Sequence, residues 1–303
     1  MIGPLVLAGY SVLIGCLVPF LLARAQWPLR SPRTALLLWQ ALMVSFVVSV
    51  ALTWYHLTPT GRHLHGVLGA AERWVNDPGP VADGAPAGGA EGLALLAPIG
   101  LTLLWPAAWF AVLGVSAHRR RRRHADLLDL VGRPAPELGA VVLDHAVPAA
   151  YCLPGRSARV VLTSAAVRSL TADQLRALLA HERAHLAGRH HLVAAATEAF
   201  GRAYRIVPLA RASRERTAVL LEMVCDDHAV RSTSARTLAG AMCEVATGGA
   251  PQSAFAAGGA AVLARVRRLL RPAAPLHPAA RCAILLLGVG AALLPYFVTC
   301  GPV

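Results

Sequence analysis

The sequence contains no lysine, so all 29 of its basic side chains are arginines. Charge is scarce: only 15% of the 303 residues are Asp, Glu, Lys or Arg, and 6% are aromatic. Soluble domains carry about a quarter charged residues. With 56% hydrophobic residues and a mean hydropathy of +0.53, the composition excludes an ordinary soluble globule and points to a membrane protein. The six cysteines include no C-x-x-C pair, which argues against a disulfide framework or a zinc knuckle. The net charge of +13 could attract nucleic acid, but the arginines sit beside apolar runs without interleaved aromatics. Membrane orientation explains them better than direct nucleic-acid binding. The long apolar runs hold no acidic or basic residue, which argues against a transporter, whose ion pathway needs such groups.

Four apolar runs are long enough to cross a bilayer, at residues 4–23, 34–57, 92–117 and 282–300. The first is not a secretory signal, because Arg24, Arg30 and Arg33 follow it and nothing basic precedes it except the amino terminus. Loop 24–33 has three arginines and no acid. Loop 58–91 balances Arg62 and Arg73 against Glu72, Asp77, Asp83 and Glu91. HRRRRRH follows the third run, and Arg265, Arg267, Arg268, Arg271 and Arg281 precede the fourth. All the arginine-rich flanks then fall on one side, taken as the cytoplasm. The expectation is a multi-pass cell-membrane protein with both termini outside. Residues 1–117 would hold three transmembrane helices and a flexible Gly/Pro-rich outer loop at 58–91. Residues 118–280 would form a cytoplasmic domain and 281–303 the fourth transmembrane helix. Histidines His56, His63 and His65 read as membrane-interface residues.

The central domain is large enough for one core. The sequence predicts a helix at 125–131 and strands near 141–143, 150–153 and 159–163, with a Pro154-Gly155 turn. TADQ at 171–174 is a capping box, and Leu175, Leu178 and Leu179 recur at helical spacing. Further helices are expected at about 190–206, stopping at Pro208, then at 213–230 and from near Ala235. Residues 248–259 read as a small-residue loop before a short basic helix at 262–270.

The stretch HERAHLAGRHH, residues 181–191, lies on the capped helix. His181 and His185 are four apart and share a face, offering half of a tetrahedral zinc site. Glu182 stands beside that face as a general base for a zinc-activated water. The third ligand has two candidates. His191 completes H-E-x-x-H-x-x-G-x-x-H, which needs the chain to fold back and a methionine turn to follow. The run after it, LVAAATEAFGRAY, is helix-forming, and His190 and His191 then read as polar residues at a helix end, where imidazolium suits the dipole. The other candidate is Glu222 in EMVCDD, with Asp226 four residues on to hold the outer ring N–H of a ligating histidine. These carboxylates lie among Val219, Leu220, Leu221, Met223 and Val224, and carboxylates on an apolar face need a partner. The residues favour Glu222. His228 is a candidate for oxyanion stabilisation but reads as a helix-surface residue, and Tyr204 has the same standing. Cys225 reads as a small buried hydrophobe.

AYCLPGRSARVVLTSAAVRSLTADQLRALLAHERAHLAGRHH, with Pro208 and the later E-x-x-C-D, resembles the peptidase domain of the BlaR/MecR-type membrane zinc peptidases over about 138–230. The resemblance implies a predominantly α membrane protein, in which four transmembrane helices accompany a small α+β zincin-type domain. It implies a Zn2+ cofactor held by His181, His185 and Glu222, with Glu182 as base and Asp226 behind the ligands. It implies a protein or peptide substrate such as a transcriptional repressor, held in extended form along a strand edge. The antibiotic sensors of that family carry a penicillin-binding domain after the last span. This sequence ends at Val303, so direct beta-lactam sensing is not expected. A membrane-protein quality-control protease and a non-catalytic signalling scaffold with a structural zinc are the competing readings.

Overall fold

The computed structural model describes residues 2–57, 90–155, 158–248 and 252–300. The expected outer loop, apart from its last two residues, lies outside them. Among the described residues, four helical stretches are long and apolar enough to cross a membrane: Pro4–Arg24, Pro32–Leu57, Ala97–Val131 and Pro278–Val298. The first combines α1 (Ile2–Val12), a π-helical turn (Leu13–Leu17) and α2 (Val18–Arg24). The second is α3 (Pro32–Leu57). The third belongs to α4 (Ala90–Val131), and the fourth is α11 (Pro278–Cys300).

The apolar run at 92–117, the arginine run and the helix expected at 125–131 form one continuous α4 of 42 residues. At 1.5 Å per residue it extends about 63 Å, twice a hydrocarbon core. It delivers the chain into a four-stranded sheet of β1 (Arg133–Ala135), β2 (Ala140–Leu143), β3 (Ala150–Leu153) and β4 (Arg159–Thr163). The order is β1-β2-β4-β3, with β2 and β4 parallel and the other pairs antiparallel. Strand β1 was not evident in the sequence because Pro134 cannot donate to a ladder, and it is tolerated because β1 is an edge. The other edge, β3, lies against the helix that carries H-E-x-x-H.

After α5 (Ser164–Ser169), Thr171 caps α6 (Ala172–Ala187). Gln174 N–H donates to Thr171 Oγ1 at 3.3 Å, and Thr171 N–H donates to Gln174 Oε1 at 2.9 Å, closing the expected capping box. Leu175, Leu178 and Leu179 bury on the sheet with Val160, Leu162 and Leu170. Then follow α7 (His190–Ala203) and α8 (Pro208–Ala229). Pro208 does not serve as the stop of a helix; it occupies the first turn of α8, where its missing N–H costs nothing. Helix α9 (Ala235–Thr247) starts at an Ser234 cap. Helix α10 spans Gln252–Leu270, so residues 252–259, expected in a loop, are helical. Three alanines, the best helix formers, accompany two glycines that cost about 1 kcal/mol each without ending the helix.

Helix α8 packs along α3, and α7 packs along α4. Phe200, Leu209, Leu220 and Leu221 share one core with Ile14, Leu36, Trp39, Leu42, Met43 and Phe46. Two prolines strengthen this assembly. Pro106 in α4 cannot offer an N–H to the carbonyl of Thr102, four residues back, and the Tyr204 hydroxyl donates to that oxygen at 2.7 Å. Pro295 likewise frees the carbonyl of Ala291, which accepts from Tyr10 Oη and Ser45 Oγ, both at 2.6 Å.

Candidate metal centre

Helix α6 presents His181 and His185 on one face, as the i,i+4 spacing requires, and α8 presents Glu222 opposite them. His181 Nε2 is 3.4 Å from Glu222 Oε2, and His185 Nε2 is 3.3 Å from Glu222 Oε1. A tetrahedral zinc ion with bonds of about 2.0–2.1 Å spaces its ligands about 3.3–3.4 Å apart. Each histidine Nε2 thus lies at such a distance from one Glu222 oxygen, and the three side chains converge as one potential metal-holding group. Glu182, next to His181 on α6, is partly buried. Burial raises its carboxyl pKa against the opposing charges of His181 and His185.

Behind the ligands, His181 Nδ1 approaches Asp226 Oδ1 to 3.0 Å, though off the line of a straight hydrogen bond. Asp226 is fully buried, and Arg265 from α10 answers its charge through Nε (2.8 Å) and Nη2 (2.6 Å). The same guanidinium reaches Glu222 Oε2 through Nη1 at 2.8 Å. Burial alone would raise the pKa of both carboxyls, but the contacts of Glu222 with His181 and His185, and for Asp226 the bonds from Arg265 before the His181 contact, hold them below the usual range. Burial would lower the pKa of His181, yet Asp226 and Glu222 overcome it and raise it to about 9. The proton so held is one that a bound cation displaces.

The other candidates lie elsewhere. His191 is on the side of α7 toward Arg121; burial first, then Arg121 and Arg189, lower its pKa, and it belongs to neither potential metal group. His228 is exposed on α8, apart from the converging donors. Tyr204 lies at the far end of α7, committed to Thr102. His190 differs from expectation. It begins α7, where the expected helix at 190–206 starts, but it is only 8% exposed and not a cationic polar end, and its pKa is lowered to about 4 by burial and then by His185. A neutral ring suits a helix N-terminus, where the dipole disfavours a cation.

Three residues were not evident as parts of the site. Arg265 sits in a basic helix where the sequence offers only a membrane flank, and no local spacing could have identified it. Cys152, on edge strand β3, touches Glu182, and burial followed by that charge pushes its thiol up to about 11. Cys225 is buried as expected, but against His190, with Sγ 3.3 Å from Nδ1.

Residues 116–249 match Peptidase family M48. The match supports a zinc-dependent metallopeptidase domain and covers all the converging donors, while Arg265 lies beyond it. No curated protein and no solved structure matches the chain.

Proposed function

We propose that the chain is a membrane-embedded zinc endopeptidase, with zinc held by His181 Nε2, His185 Nε2 and Glu222. The observation that carries this reading is the convergence of those three side chains, each histidine Nε2 3.3–3.4 Å from a Glu222 oxygen, inside a domain matching a peptidase family. When bound, zinc supplies Lewis acidity and lowers the pKa of water toward neutrality. Glu182 accepts the proton of the attacking water and passes it to the leaving amine nitrogen, and its raised pKa suits both transfers. Asp226 orients His181 through Nδ1, and Arg265 holds Asp226 in place. The edge strand β3, beside Glu182, is where an extended peptide would pair.

The substrate class follows from the four apolar helices and from the likeness to BlaR/MecR-type peptidases: a cytoplasmic or membrane-proximal protein, with a transcriptional repressor the family-like choice. In this reading the peptidase region, 118–280, faces the cytoplasm and both termini lie outside, an orientation that the arginine flanks support. The test uses the full chain purified in detergent, as wild type and as Glu182→Gln. The expected result is one zinc per chain in both, with cleavage of a candidate protein substrate lowered by at least about 100-fold in the variant. Equal cleavage by both proteins, or a wild type without zinc, would sink the reading.

A further inference from the structure

The zinc-facing atom of His185 is Nε2, so its Nδ1 points to the rear, and there it meets His190 Nδ1 at 3.3 Å. A ligating imidazole needs an acceptor on its second nitrogen to fix its tautomer and its ring plane. For His181 that acceptor is Asp226; among the described residues, the group at the rear of His185 is His190. We propose that His190 is a positioning residue whose Nδ1 accepts the Nδ1–H of His185, locking His185 into the form that offers Nε2 to the metal. The inference rests on the zinc reading above.

The backbone between the two histidines is built for this contact. Helix α6 ends at Gly188, and Arg189 adopts the left-handed conformation at φ 48°, uncommon for a residue with a side chain. That single turn starts α7 in a new direction and lays the first ring of α7 under the last turn of α6. The ring centroids of His185 and His190 stand 5.1 Å apart with their planes at 83°, and the two rings meet through their Nδ1 atoms. Gly188 makes room for it: a Cβ at that position would lie 2.3 Å from His190 Nε2 and 2.5 Å from Cδ2. The glycine of H-E-x-x-H-x-x-G thus admits the ring of a histidine that supports a ligand.

Cys225 Sγ also lies 3.3 Å from His190 Nδ1, and His185, His190 and Cys225 could together surround a second ion. Nδ1 has one lone pair. The N–H of a metal-bound imidazole is a far stronger donor than a thiol, so His185 takes that lone pair and Cys225 packs against the ring.

The experiment measures zinc affinity of the detergent-purified full chain by competition with a chromophoric chelator, together with the cobalt-substituted absorption spectrum. The proteins are wild type, His190→Leu, His190→Asn, Gly188→Ala and Cys225→Ser. The Asn Oδ1 sits where His Nδ1 sits and accepts but cannot mimic the ring's bulk. Wild type should bind one equivalent. His190→Leu and Gly188→Ala should weaken zinc binding by about 10- to 100-fold. His190→Asn should recover most of that loss, and Cys225→Ser should match wild type. Wild-type affinity in His190→Leu, or no recovery in His190→Asn, would overturn the positioning role while leaving the zinc reading intact. A second equivalent with a sulfur-to-cobalt charge-transfer band, lost in Cys225→Ser, would overturn it in favour of a second metal site. A wild type that binds no zinc would remove the zinc reading itself.

Discussion

At the scale of single residues, the site is organised by charges that have to be answered. Asp226 is wholly buried, and an isolated carboxylate there would cost several kcal/mol. Arg265 and His181 answer it, and Arg265 extends to Glu222, so four charged or chargeable groups form one network. Glu222 is the member whose role separates the two spellings of the motif. Glu222→Ala should lower zinc affinity by more than about 100-fold, the upper range for losing a mere supporting contact. His191→Ala should leave it unchanged. Metal analysis after desalting against a weak chelator reads both, and the reverse pattern would restore the H-E-x-x-H-x-x-G-x-x-H reading. His181, His185, Glu222 and Asp226 were legible in the sequence because a helix puts i and i+4 on one face. Arg265 was not, because it reaches Asp226 from 39 residues away on another helix.

At the scale of elements, the prolines of the apolar helices explain contacts that hydropathy cannot. Each proline leaves a carbonyl without its helical donor, and a buried orphan carbonyl costs about 1–3 kcal/mol. Pro106 creates such a carbonyl at Thr102, and the hydroxyl that repairs it belongs to Tyr204, at the end of α7. Burial pushes that phenol up to about 12, which keeps it a donor. Tyr204→Phe should therefore destabilise the full chain by about 1–3 kcal/mol. In a Pro106→Ala background the helix regains its own N–H, and the same substitution should cost close to nothing. Denaturant titration of the four proteins in one detergent gives the cycle, and an equal cost in both backgrounds would exclude the proline explanation. The sequence shows the prolines and the tyrosine plainly. It cannot show that they meet, since the pairing depends on how α7 lies along α4, with Tyr204 102 residues from its partner. For the same reason Tyr204 reads in the sequence as a helix-surface residue, although it is half-buried and bonded to α4.

At the scale of the whole molecule, the peptidase helices and the apolar helices complete each other's core. Phe200, Leu209, Leu220 and Leu221 are covered by α3 and the π-helical turn, through Ile14, Trp39, Met43 and Phe46. The hydrophobic pattern at 34–57 predicts a span and the pattern at 175–179 predicts a packed helix, but neither says that the two share a core, because an apolar face looks alike whether lipid or protein covers it. The shared core has a measurable consequence. A fragment of residues 118–280 would expose those four large side chains, at about 1.5–3 kcal/mol each, or about 6–12 kcal/mol in total. That matches the entire stability of a typical domain. It would also lose the Tyr204–Thr102 bond and the Arg268 bond to the Leu29 carbonyl, at 2.7 Å. The fragment should therefore bind a hydrophobic dye, aggregate on concentration and lack a cooperative unfolding transition, while the full chain in detergent unfolds cooperatively. Since α8 carries both the α3-contacting residues and Glu222, zinc affinity should fall with the fold. A soluble, cooperatively folded fragment with full zinc affinity would show instead that the peptidase region stands on its own core, the cluster of Leu162, Leu175, Leu178 and Leu179 on the sheet.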